Sequence, residues 1–424
     1  MKRLNLVSAI MLCATLALTA CGGPAYRPAQ EKPHILGQEQ SGPPAPAGPP
    51  ASAATPGQQQ NLRPVKVGIL LPLTGKDQQL GQSMLKAAQM ALFDTGYEGF
   101  ELIPRDTKSS PQEAASAARS ALAGGAELLL GPIFSDSVAA VKPIAKQAGV
   151  NVIAFSTDWK QAGGGTFIMG FMPFDQIQRV AQFAAARNIH SVGIIAPDTE
   201  YGTITNSAFQ SAATRYGMKI AGTERFNPQT REIGATVRNF AHYDQRHPTG
   251  QAAVNAGPPP YDAVFMPVGG DNAKTIASVM VQFDLTPGQV RRLGTGLFDD
   301  PSLTREPGLE GAWFAAPSPG ARAAFERRFT QSYGYSAPRL TTLAYDSTAL
   351  AAILAKRGLQ SPAAKPGFDT DSLMNPNGFS GIDGIFRFRP DGTAERGLAV
   401  LEIRRGGTSV VEEAPKTFQS GPTN

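Results

Sequence analysis

Cysteine is nearly absent from this chain: Cys13 and Cys21 are the two it has, and both lie within the first 21 residues. Everything after them has no thiol to oxidise, to pair or to bind a metal. Histidine is scarce too. His34, His190, His242 and His247 are the four present, and no cysteine beyond Cys21 stands with them to complete a ligand set, so no His/Cys metal site is expected. A basic stripe that would track nucleic acid is also missing. The formal net charge is +5, yet the densest basic runs are pairs such as Arg291-Arg292, Arg327-Arg328 and Arg404-Arg405, so no nucleic-acid partner is expected. Catalytic signatures are lacking as well: there is no P-loop, nucleophile elbow or metal-ligand helix. Gly294-x-Gly296 lacks the third glycine of a dinucleotide fingerprint and comes too late to open a first strand–helix–strand unit. Asp299-Asp300 are adjacent and diverge on a loop rather than forming an acid/base pair. No enzyme activity and no cofactor are expected.

What is present begins with Lys2-Arg3 and an apolar run from Leu4 to Leu18. That run is too short to span a membrane with margin, so it reads as a secretory signal peptide over residues 1–20. Leu18-Thr19-Ala20-Cys21 resembles the bacterial lipobox, which implies lipid on Cys21 and attachment to a membrane by that anchor alone. The alternative is an ordinary cleaved signal with an incidental cysteine. By the same resemblance, Gly22 carries no inner-membrane retention signal, which implies the periplasmic face of the outer membrane, with the inner membrane as the alternative. Residues 21–63 are rich in Pro, Ala, Gly and Gln and offer too few large apolar side chains to offset ordering entropy. They are a tether, of a length that reaches about 130 Å if extended as polyproline II.

Hydrophobic content of 42% and charge of 17% are those of a globular protein, and the remaining length exceeds what one core serves. Val65 to Leu71 is a nearly continuous apolar run, as expected of a strand buried on both faces of a parallel sheet. Leu80, Met84, Leu85, Ala88, Ala91 and Leu92 follow at helical spacing. Phe100–Pro104, Leu128–Leu130 and Val150–Phe155 read as further strands, and Ser110-Pro111-Gln112-Glu113 as a capped helix start. The alternation restarts at Ser191–Pro197 and runs through Lys219–Phe226, Tyr261–Pro267 and Leu293–Gly296 to Gly311–Ala316. Two more helices follow, then a closing strand pair around Ile385–Phe388 and Leu398–Ile403. The expected fold is α/β, two doubly wound lobes in a clamshell after a disordered tether. Residues 64–172 with about 317–378 form lobe 1, residues 173–316 with about 379–408 form lobe 2, and 409–424 are a tail. A Pro/Gly/Ala-rich insert at Arg246–Pro260 reads as a partner-contact loop or as filler. Ligands of open α/β sheets sit at the carboxyl ends of the strands, so the loops there line the cleft.

Several segments then carry a family resemblance. They are Gly68-Ile69-Leu70-Leu71-Pro72-Leu73-Thr74-Gly75, Arg105-Asp106-Thr107, Gly131-Pro132-Ile133-Phe134-Ser135, Asp198-Thr199-Glu200-Tyr201-Gly202 and Phe379 to Phe388. In order and spacing they resemble type I periplasmic binding proteins of the leucine/isoleucine/valine-binding branch. The lipobox, the tether and the segments Gly81–Leu85 and Ala91–Asp94 look most like the penicillin-binding protein activator lipoproteins. That resemblance implies a non-catalytic regulator of peptidoglycan synthases, with a penicillin-binding protein as partner and an amino acid or muropeptide in the cleft. The alternative is the amino-acid-binding subunit of an ABC importer. The resemblance also implies ligand contacts: Ser135, Ser156 and Thr157, with Ser137 beside them, for a carboxylate, and Tyr201 closing from the second lobe. Ser135 reads equally as a helix cap and Tyr201 as a packing tyrosine. The relative's acid for an ammonium falls near Gly294–Phe298, where this chain has none until Asp299-Asp300. Asp271 is a substitute for it, or the N-cap of its helix.

Overall fold

The computed structural model describes residues 64–230, 232–247 and 257–418. The segments read as signal peptide and tether, Cys21 between them, the centre of the 246–260 insert and residues 419–424 lie outside the described residues. The first lobe opens with β1 (Val65–Leu71), α1 (Gln78–Thr95), β2 (Phe100–Asp106), α2 (Pro111–Ala123), β3 (Leu128–Leu130), α3 (Ser135–Ala148), β4 (Val152–Ala154) and β5 (Thr166–Ile168). The second contains α4 (Pro173–Ala185), β6 (Ser191–Pro197), α5 (Glu200–Arg215), β7 (Lys219–Phe226), α6 (Gly234–Phe240), α7 (Tyr243–Arg246), β8 (Ala263–Met266), α8 (Gly270–Gln282), β9 (Arg291–Gly294) and β10 (Trp313–Ala316). The chain returns through α9 (Pro319–Tyr333), α10 (Thr341–Gln360), α11 (Thr370–Leu373), β11 (Phe379–Gly381), β12 (Gly384–Phe388) and β13 (Ala394–Arg396). It ends in β14 (Ala399–Arg404) and β15 (Gly407–Glu412). No helix among the described residues is long and apolar enough to cross a membrane.

The first sheet has the order β2-β1-β3-β4-β5, all parallel, and the second repeats it as β7-β6-β8-β9-β10 before adding β14 and β15 antiparallel. Both halves are therefore doubly wound in the same way. The repeat extends to a close contact where each first helix meets its strand exit. A Cβ on Gly81 would lie 2.0 Å from the Pro72 carbonyl oxygen, and one on Gly202 2.0 Å from that of Pro197. Glycine alone permits that approach. Ser110 does stand at the N-cap of α2 with Pro111 first in the helix, but its hydroxyl turns to Gln112 Oε1 at 2.9 Å rather than to the backbone.

The C-terminal segments are divided differently from the expected domain boundaries. β12 and β14 are not partners: β11-β12-β13 form a separate antiparallel sheet. Phe386, Phe388 and Ala394 pack into the core built around Val65, Leu128 and Phe167, and the Phe388 ring lies 5.0 Å from that of Phe167. The Ile168 N–H at the edge of the first sheet donates to the Gly392 carbonyl at 2.8 Å. Residues 379–396 thus belong with the first lobe, because their apolar face fits its exposed sheet edge. The chain crosses between lobes after β5, β10 and β13. Residues 409–412, expected in the tail, belong to β15, which pairs with β14.

Near the last crossing, four charged side chains are gathered. Asp346 of α10, Asp383 and Arg396 are buried, and Arg339 forks onto Asp383 at 3.0 and 3.1 Å. Asp346 accepts the Ile382 N–H through Oδ1 at 2.8 Å, and its Oδ2 has no hydrogen-bond partner among the described residues. A Cβ on Gly381 would stand 2.4 Å from that oxygen, so the hairpin approaches the carboxyl through a glycine. Burial, and after it the neighbouring Asp383, push the Asp346 carboxyl well above the usual carboxylate range, against the pull of the Ile382 N–H and Arg396.

Two outcomes are expected. Phe386→Ala should cost about 3–5 kcal/mol in urea unfolding, since the ring fills the first lobe's core; a change near zero would detach the hairpin from it. The folded chain holds the Asp346 proton to higher pH than the unfolded chain does. Stability therefore falls as pH rises from about 4 toward the raised value and is flat above it. Asp346→Asn, which keeps the Oδ1 acceptor, should remove that fall in unfolding midpoints measured between about pH 4 and about pH 8.

Candidate functional site

The loops leaving the carboxyl ends of the parallel strands enclose a groove between the lobes. It has two adjoining chambers of about 310 and 430 Å³, and Thr157, Trp159 and Tyr201 border both. The first is walled by Phe171, Pro173, Leu297 and Pro317, with Gln176, Asp299 and Arg339 as its polar groups. The second is walled by Ile133, Phe134, Phe155, Ile204 and Leu340, with Ser135, Ser156, Asp158, Lys160 and Glu200. Both are mostly apolar with a few converging polar groups, the usual character of a small-molecule site.

Ser135, Ser156, Thr157 and Tyr201 are brought together here. Ser135 is the first residue of α3, and Phe134 holds the N-cap position with no side-chain bond. The Ser135 hydroxyl does not cap the helix; it donates to Asp158 Oδ2. The Ser156 hydroxyl accepts the Asp158 N–H at 3.0 Å. Of the three expected carboxylate-binding hydroxyls, that of Ser135 is therefore committed to the Asp158 carboxylate, while that of Ser156 accepts from the Asp158 backbone and keeps its own proton. Burial alone would raise the Asp158 carboxyl, but hydrogen bonds from the Ser135 hydroxyl, the Lys160 N–H and Gln161 outweigh it and hold it below the usual range.

Tyr201, in the first turn of α5, shares a hydrogen bond of 3.0 Å with the Thr295 hydroxyl, and burial raises its phenol. Thr199 caps α5 by accepting the Gly202 N–H at 3.1 Å, which fixes the turn that presents the ring. Gln176 Oε1 accepts the Gly296 N–H at 2.7 Å and so steadies the facing loop.

Two expected residues are not brought to the groove. Ser137 is fully buried, because two residues along a helix turn a side chain roughly 200° away from Ser135. Asp271 is neither ligand nor cap. Helix α8 begins two residues earlier than an Asp271 cap requires, with Gly269 at its N-cap, and the Asp271 side chain is 98% exposed beside Lys274 at 3.1 Å. The acids that the second lobe does supply are Asp299, which lines the first chamber and is bound by Arg322 at 2.5 Å, and Glu200, which lines the second and is bound by Lys160.

Sequence reasoning passed over Asp158, Trp159, Gln176 and Arg339. Asp158 and Trp159 directly follow the Ser156-Thr157 pair, and adjacency was the available signal. Arg339 enters from the segment before α10 with no local pattern, and its guanidinium stacks 4.0 Å from the Phe171 ring centre. Three ion pairs span the lobes around the groove: Lys160 with Glu200, Arg322 with Asp299, and Arg389 with Asp175 at 2.6 Å. Asp175, largely buried, has its carboxyl raised by desolvation despite Arg389.

Comparison with known proteins bears on this geometry. A family model described as periplasmic binding protein matches residues 64–408. A putative branched-chain amino acid ABC transporter protein of Rhodospirillum rubrum superposes with a TM-score of 0.71 at 18% identity, over 82% of this chain and 100% of that one. The branched-chain amino acid transporter substrate-binding protein LivJ of Streptococcus pneumoniae, solved with isoleucine, gives 0.55 at 20% identity, over 83% of this chain and 100% of that one. An uncharacterized protein of Rickettsia prowazekii is 21% identical over 178 residues, 42% of this chain, and the chain spans 47% of that relative's length. With its two repeated lobes, its groove at the strand ends and a family match over residues 64–408, this chain belongs to the periplasmic binding protein family.

Proposed function

We propose that the domain is the solute-capturing part of a secreted, non-catalytic lipoprotein, held to a membrane through Cys21 and facing the periplasm. The observation that carries this reading is the inter-lobe groove itself. Aromatic walls from both lobes, Trp159 and Phe171 from one and Tyr201 from the other, meet over a few polar groups. The related LivJ was solved with isoleucine, which supports a small organic solute as the class of ligand.

A second reading, taken from the resemblance to penicillin-binding protein activators, makes the domain a regulator of peptidoglycan synthases, with a muropeptide as the cleft's signal. One observation favours it over amino-acid import: the Ser135 hydroxyl already donates to the Asp158 carboxylate, so a negative charge stands where an importer would offer that hydroxyl to an α-carboxylate. On either reading the outer membrane, implied by Gly22, is the proposed location.

Thermal-shift screening of the full chain against amino acids, amines, small peptides and cell-wall fragments tests solute capture. A ligand at 100 times its dissociation constant adds about 2.7 kcal/mol of stability. Tyr201→Ala should weaken the bound solute about tenfold, near 1.4 kcal/mol; unchanged affinity would remove Tyr201 from the site. Cys21→Ala should release the protein from the membrane fraction, and retention there would end the anchoring proposal.

A further inference from the structure

The second chamber of the groove carries an unusual charge arrangement. Its charged lining residues are Asp158, Lys160 and Glu200. Lys160 and Glu200 pair with each other across the lobes, which leaves one carboxylate in excess. That carboxylate belongs to Asp158, and it stands on the hydroxyl that would otherwise greet a ligand's carboxylate. Asp158 Oδ2 accepts from Ser135 and, at 3.4 Å, from Gln161, while Oδ1 accepts the Lys160 N–H at 3.1 Å. An incoming carboxylate would meet a full negative charge where a subsite without this acid would present hydroxyls and the positive end of α3. The rest of the wall is suited to the opposite charge. Phe134, Phe155, Trp159 and Tyr201 surround the chamber, and aromatic faces attract an organic cation within about 6 Å.

We infer that Asp158 reverses the polarity of this subsite, so that the chamber takes the ammonium end of a small apolar organic cation, an aliphatic or aromatic primary amine, rather than an α-carboxylate. The inference rests on the solute-capture reading and names its ligand class. Its chemistry is simple. The Ser135 hydroxyl orients the Asp158 carboxylate, the ammonium hydrogen-bonds to a free lone pair of that carboxylate, and the apolar remainder lies against Trp159 and Tyr201. Thr157 borders both chambers and is placed to accept a further ammonium hydrogen. Asp158 is thereby the residue that sets specificity, and the carboxylate in excess in this chamber comes from the first lobe, since Glu200 of the second is paired with Lys160.

Calorimetric titration of the full chain with two matched sets tests this. One set is isopentylamine, isocaproate and leucine; the other is phenethylamine, hydrocinnamate and phenylalanine. Each amine should bind at least about tenfold tighter than the matching acid and amino acid, and more weakly as salt rises. Asp158→Asn keeps the shape and, with its amide oxygen toward Ser135, that hydrogen bond, while giving up the one from the Lys160 N–H; it should erase that preference with a cooperative melting transition retained. Lys160→Gln, which frees Glu200, should strengthen amine binding. If isocaproate or leucine binds as tightly as isopentylamine, or if Asp158→Asn leaves amine affinity unchanged, the polarity assignment is overturned while solute capture stands. If none of the six binds, the assignment falls as well, and solute capture is then decided by the wider thermal-shift screen.

Discussion

Parallel strand pairing constrains almost everything else in this molecule. A strand that runs beside its neighbour in the same direction must return by a crossover, here a helix, so each strand delivers its exit loop to the same edge of the sheet. In both halves the order places the first strand inside the sheet, between the second and the third. The helices after β1 and β3, and after β6 and β8, therefore leave on opposite faces, and a crevice opens where they part. Two such crevices facing one another make the groove. Gly81 against Pro72 and Gly202 against Pro197 hold the first helix of each half at the strand exit.

Electrostatics then shapes the groove at three depths. At its mouth, Lys160 and Glu200 bridge the lobes between largely solvated side chains, a contact of small energy that salt screens. Asp299, on its wall, with Arg322, and Asp175 with Arg389 outside its lining, are more enclosed, so they set the register of the lobes more firmly. Close to the last crossing lies the buried group of Asp346, Asp383, Arg339 and Arg396. Arg339 belongs to this group and to the cleft at once, since it lines the first chamber while forking onto Asp383. Phe171 stacks on Arg339 and also lies 4.7 Å from the Arg396 guanidinium. The first crossing between the lobes is thus packed directly against the ion group.

Much of this architecture was legible in the residues. Strand–helix alternation, its restart near Ser191, the clamshell and the family all follow from patterns confined to short stretches. The nearly continuous apolar run of β1, the helical spacing of α1 and the glycines at tight approaches are local facts with local causes. The groove's position follows from them, because strand ends in a doubly wound sheet face one way. Four of the six expected cleft residues, Ser135, Ser156, Thr157 and Tyr201, lie along it for the same reason. Ser137 and Asp271 do not, since a helix register one or two residues different turns a side chain from cleft to core or to solvent.

The sequence by itself determined the fold class, the duplication of the lobes and the edge at which a ligand would sit, because periodicity and strand composition act over neighbouring residues. Tertiary structure alone decided which side chains meet there. It brought Asp158 onto Ser135, carried Arg339 to a wall formed by Phe171 more than a hundred residues earlier, and placed the β11–β13 hairpin on the first lobe rather than the second. Those choices depend on how distant segments pack, and no local pattern encodes a contact between them. The charge that a ligand meets in the groove is of this second kind: the residues are written in the chain, but their pairing is settled by the folded geometry.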